Sequence, residues 1–231
     1  MIRSTHQHAG IVLLFCALVF GRAIVAQDRY FPLDHRQPTG QAGRWAALTR
    51  PQAYGYMQPV QVRLPGEGLV AYFSGSSQNS ILTTAPSQVS MMVGHTYRIQ
   101  ISGMPDYPGL ELYPTIEILD RLHPPEDRIH EFPIPIDITR EEIEYVMQDQ
   151  MVTKVIYLEQ PDFAAPVRSG TETLVENLPT QVNLLEAADY RGRPMAILRI
   201  GGRIPDPRAA VDEFYSTSPI MLSTETTTVG N

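Results

Sequence analysis

Between Val93 and Arg121 the chain carries its most restrictive pattern. Tyr97, Ile99 and Ile101 alternate with Arg98, Gln100 and Ser102. A period of two sends successive side chains to opposite faces, so one face meets a core and the other meets water. Gly and Pro interrupt the pattern from Gly103 to Gly109. It then resumes, with Leu112, Ile116 and Ile118 on one side and Glu111, Thr115 and Glu117 on the other. The stretch predicts two antiparallel strands at the heart of a sandwich, with Glu111, Thr115 and Glu117 facing solvent.

Other segments repeat the signal more briefly. Val60 to Leu64 and Leu69 to Ser74 read as strands joined by Pro65-Gly66-Glu67-Gly68, a turn of hairpin length. Gln88 to Met92, Thr153 to Leu158, Gly170 to Val175 and the strongly apolar Met195 to Ile200 add further candidates. Four prolines between Asp120 and Asp137 argue against a regular strand or helix and favour an extended segment along a sheet edge. Two helix starts stand out. Thr139 with Glu142 makes a capping box flanked by the staple Ile138 and Ile143, and Asn183 with Glu186 repeats the signature. The expected fold is therefore mainly β: an immunoglobulin-like or transthyretin-like β-sandwich over residues 57–208, with short helices near 139–150 and 183–191. Residues 27–56, broken by Pro32, Pro38, Gly40, Gly43 and Pro51, read as an irregular arm bearing Trp45. Residues 209–231, rich in Ser and Thr, read as a partly disordered tail.

The first 26 residues have the make-up of an export signal. Arg3 precedes the apolar run GIVLLFCALVF, and AIVA offers small residues for cleavage after Ala26. That run is shorter than the roughly 20 residues a membrane span requires, so no transmembrane segment is expected after cleavage. The expected location is periplasmic, envelope-associated or extracellular.

Cleavage removes Cys16, the only cysteine of the 231 residues. Thiolate catalysis, Cys-bound metals and internal disulfides then fall away, and the fold must rest on its core. The net charge of −7 becomes more negative once Arg3 and Arg22 leave with the leader. Phosphate backbones call for a basic surface, so the charge disfavours nucleic acid and none is expected as a partner. Lys154 is the only lysine.

The runs GLELYPTIEILDRLHPPEDRIHEFPIPIDITREEIEYV, TKVIYLEQPD and GRPMAILRIGGRIPD resemble exported proteins of unknown function from planctomycete-type bacteria. The resemblance implies an envelope or periplasmic home and brings no activity or site residues with it.

Three groups could carry chemistry. His123, Glu126, Asp127 and His130 gather imidazoles and carboxylates that a metal could use, although their spacing matches no structural zinc pattern and Pro124-Pro125 draws the segment out. A solvated polar loop is the plainer reading. Arg191, Arg193, Arg199 and Arg203 could form a patch for an anionic polymer, or could simply pair with nearby Asp and Glu. Glu111, Glu117 and Asp120 lie on or beside one strand, and a glycan hydrolase would use such a carboxylate pair. The serines of Gly75 to Ser80 lack the Gly-x-Ser-x-Gly elbow of a nucleophile. No cofactor is expected. The sequence favours a non-enzymatic envelope module that assembles with a protein or polysaccharide of the cell envelope. A glycan-binding or polymer-binding module comes second and a hydrolase third.

Overall fold

The alternation around Tyr97 becomes the third of six strands in one of two facing sheets. The computed structural model describes residues 33–73, 79–160, 175–206, 208, 214–215 and 218–222. Among them are ten strands: β1 (Met57–Arg63), β2 (Leu69–Phe73), β3 (Ser80–Thr84), β4 (Ser87–Met92), β5 (Thr96–Ser102), β6 (Thr115–Ile118), β7 (Ile134–Asp137), β8 (Val152–Glu159), β9 (Gly192–Ile200) and β10 (Ile220–Leu222). One sheet has the order β10-β4-β1-β7 and the other β3-β2-β5-β6-β9-β8. The fold is mainly β and sandwich-like. The expected leader at residues 1–26 lies outside the described residues, as does the candidate strand at 170–175 apart from Val175.

Alternation builds the core. Val60, Val62, Val89 and Met91 from the smaller sheet meet Tyr72, Tyr97, Ile99, Ile116 and Leu198 from the larger. At roughly 25 cal/mol per Å² of apolar surface, burial of such side chains is the main stabilising term. The two core phenols satisfy their hydroxyls against the smaller sheet's elements. Tyr72 donates to Ser87 Oγ at 2.9 Å, and Tyr97 donates to the Pro219 carbonyl at 2.9 Å. Burial pushes the Tyr72 pKa up to about 12, outweighing the Ser87 hydrogen bond.

Three features differ from the sequence expectation. Thr115 and Glu117 do not face water: Glu117 is fully buried. Their face of the sheet is covered by helix α1 (Gln41–Thr49), which lies within the arm expected to be irregular. Gly40, at φ 90°, turns the chain into this helix. Ala42 and Ala46, four apart, give it a flat face that packs with Leu119, Leu185 and Ile197. Gly43 is needed for the close approach, since a Cβ there would stand 3.1 Å from the Gly94 carbonyl oxygen.

The second difference is at Pro65 to Gly68. β1 and β2 do not form a hairpin; β1 pairs with β4 and β7, whereas β2 pairs with β3 and β5. The turn carries the chain round a corner from one sheet to the other. At Gly68 the Leu64 side chain folds into the space a Cβ would take, 2.6 Å from its ideal position. Each strand thereby gains a neighbour on both sides, which a lone hairpin denies it.

Third, the tail contributes structure. Ile220–Leu222 pairs with β4 as β10. The remainder of 209–231 beyond 214–215 and 218–222 lies outside the described residues.

The proline-rich segment ends in β7, which runs parallel to β1 at the edge of the smaller sheet. Helix α2 (Arg140–Met147) then carries the chain to the larger sheet with the full capping box: Glu142 N–H donates to Thr139 Oγ1 at 3.3 Å and Thr139 N–H to Glu142 Oε2 at 2.9 Å. Ile143 and Val146 plug the core. Helix α3 (Leu184–Arg191) starts with the Asn183 side chain accepting from the Leu185 N–H. No helix among the described residues is long and apolar enough to cross a membrane.

Candidate functional site

Two buried carboxylates, Glu117 and Asp120, meet arginines at the six-stranded sheet. Arg199 and Glu117 sit diagonally on β9 and β6, where Thr115 is the register partner of Arg199 and Ile197 that of Glu117. Arg199 Nη1 donates to Glu117 Oε2 at 3.1 Å. Glu117 Oε1 accepts the Gly43 N–H of α1 at 2.6 Å. The second Arg199 nitrogen donates to the His35 carbonyl at 3.1 Å. One buried pair therefore ties the sheet, the helix and the segment before it.

Asp120, nearly fully buried, forms a second node. It accepts from Arg50 Nη1, and Arg193 Nε stands 3.3 Å away without the alignment of a hydrogen bond. Along the same seam, Asn183 Nδ2 donates to the Leu33 carbonyl at 2.8 Å, and the Leu184 N–H donates to His35 Nδ1 at 3.1 Å. That bond needs a lone pair on Nδ1. Burial pushes the His35 imidazole below its ordinary value of 6.5, opposed by Asp34 and by the Asn183 side chain, and Arg36 and Arg199 lower it further.

The arginines singled out from sequence are thus dispersed among separate partners. Arg191 pairs with Glu176 at 2.6 Å, Arg193 faces Asp120, and Arg199 is buried against Glu117 instead of facing solvent. Arg203 lies over the Phe214 ring, 5.8 Å from its centroid. The carboxylates follow the same division: Glu117 and Asp120 are buried against arginines, while exposed Glu111 accepts from the Tyr113 hydroxyl at 2.7 Å. Glu126, Asp127 and His130 lie on an exposed 3-10 turn, Glu126–Glu131, and His123 precedes it, accepting from Arg121 Nε at 3.1 Å. Among the described residues no three of His, Cys, Asp and Glu gather closely enough to hold a metal ion.

The sheet edges differ from one another in how they are guarded. An open edge presents unpaired N–H and C=O groups, and proteins blunt it with proline, inward-pointing charge, bulges or short length. β7 contains Pro135 and has four residues. β10 has three residues. β8 has a register irregularity between Ile156 and Tyr157, and its Lys154 points inward, 2.8 Å from the Asp137 carbonyl and 2.5 Å from Glu142 Oε1. β3, with the sequence SILTT, contains no charge and no proline, and among the described strands it pairs only with β2. Leu82 in its middle is 61% exposed, whereas Ile81 packs on the core. The signal available in the sequence was the uncharged Ile-Leu-Thr-Thr run, three of its four residues β-branched, between loop residues.

Set against known proteins, the chain matches no family model, no curated protein and no solved structure.

Proposed function

We propose that the chain is an exported, non-enzymatic module of the cell envelope that assembles with a protein partner by strand addition at β3. The observation that carries this reading is the contrast between edges. Three edges bear a device that discourages pairing, and β3 bears none. An incoming strand would hydrogen-bond along Ser80–Thr84 and cover Leu82, gaining main-chain bonds and apolar burial together. The leader-like residues 1–26 support export, because the partner of such a module must share its compartment.

In-cell crosslinking of the tagged full chain tests the reading, followed by identification of what survives detergent and high salt. Strand addition is insensitive to ionic strength compared with charge-mediated binding. A reproducible protein partner that survives salt is the expected result. A free monomer, or retained glycan without protein, overturns it.

A further inference from the structure

On the outer face of β5, Arg98 stands opposite Thr115 of β6, between the inward-facing Tyr97 and Ile99. Its guanidinium carbon lies 4.2 Å from the centroid of the Phe214 ring, and Arg203 approaches the same ring. Tyr113 and Tyr215 both meet Phe214 edge-on, and Phe73 of β2 packs on Tyr215 at 4.4 Å. Two guanidiniums are thereby gathered within one aromatic cluster. On the same sheet face Arg193 and Arg199 each face a carboxylate. Among the described residues, Arg98 and Arg203 face none.

Arg98 Nη1 is buried and has no hydrogen-bond partner among the described residues. A charged donor left unsatisfied away from water is costly, and native proteins rarely tolerate one without a use. Burial and the neighbouring Arg203 both push the Arg98 pKa down, with the Tyr215 hydroxyl opposing them. The missing element is negative charge with acceptor oxygens.

We propose that Arg98 and Arg203 form a binding site for an oxyanion, a carboxylate or phosphate group. Arg98 offers a planar fork that matches two oxygens of such a group, and the exposed Arg203, over the same ring, adds the second positive charge. Phe214 lies under Arg98 at 4.2 Å and under Arg203 at 5.8 Å, and Tyr215 braces that ring edge-on, which lowers the entropy lost on binding. This site is independent of the β3 edge, so failure of either proposal leaves the other standing.

Thermal unfolding of the full chain tests the site, with inorganic phosphate, acetate and chloride at matched ionic strength, and with polygalacturonate as a polymeric carboxylate. Phosphate, acetate or the polymer should raise the melting temperature over chloride by about 2–4 °C near saturation. R98Q and R203Q should each lose most of that rise, and R36Q, at an exposed arginine elsewhere, should keep it. A rise with the polymer alone assigns the oxyanion to a polymeric source, and a rise with the small ions assigns it to a free anion. No rise over chloride with any of them, or an equal rise in R203Q, overturns the proposal. Because Arg203 is exposed, R203Q keeps the test decisive even if R98Q does not fold.

Discussion

Arg199 and Glu117 stand 3.1 Å apart across neighbouring strands, and Glu117 has no exposed surface. A buried pair of this kind gains little over an apolar pair but is costly to break singly, since the survivor keeps its charge without compensation. Arg199→Met should therefore destabilise the chain by about 3–5 kcal/mol. Adding Glu117→Gln to it should recover a substantial part of that loss. Urea unfolding of the two single variants and the double gives the coupling directly. Additive losses in the double variant would contradict a closed pair.

Lys154 joins the edge strand β8 to α2 through Glu142, and it is the chain's only lysine. Its ammonium is held at 2.8 Å by the Asp137 carbonyl and is mostly screened from water. Amine-directed acylation should thus modify residue 154 much more slowly in the native protein than in urea. Lys154→Met should cost about 1.5–3 kcal/mol, the range for hydrogen bonds to charged groups. Rapid native acylation, read by peptide mass, would show the contact to be open.

His35 accepts the Leu184 N–H through Nδ1, which favours the neutral ring, while Asp34 Oδ1, 3.2 Å from the same nitrogen, opposes it. Burial lowers its folded pKa below the ordinary 6.5. A lowered histidine pKa means the unfolded chain takes up the proton first. Its contribution is present above pH 6.5 and is lost as pH falls through the folded pKa. The melting temperature should drop between neutral and mildly acidic pH, and His35→Gln should flatten that part of the profile. An unchanged slope in the variant would place the dependence on other groups.

How much of this was legible in the chain depends on what each residue's neighbours had to be. Tyr97, Ile99 and Ile101 read correctly as an inward face, because a period of two is a local property of one strand. Thr139 and Glu142 read correctly as a capping box for the same reason, three residues apart. Glu117 read as solvent-facing because nothing near it in sequence covers it; its cover is α1, more than 65 residues away, whose Gly43 hydrogen bond spans 74 positions. Gly40 and Gly43 looked like breakers, yet one turns the chain into the helix and the other lets it lie close. Pro65 to Gly68 looked like a hairpin because a short turn between strands has the same residues whether it returns to one sheet or crosses to another. Arg199 appeared free for a ligand since its partner, Glu117, belongs to a strand 82 positions earlier.

The β3 edge is tested most directly by placing a photo-crosslinking residue at position 82 in the full chain expressed in its own compartment. Position 158 on the guarded edge β8, also exposed, serves as the comparison. Strand addition at β3 predicts a discrete protein adduct from position 82 and little from 158, and an L82K variant, which places a charge on the exposed face of β3 without touching the core, should abolish capture by a tag elsewhere on the chain. A partner captured equally from 158, or unaffected by the charge in β3, would contradict the assignment of β3 as the docking edge.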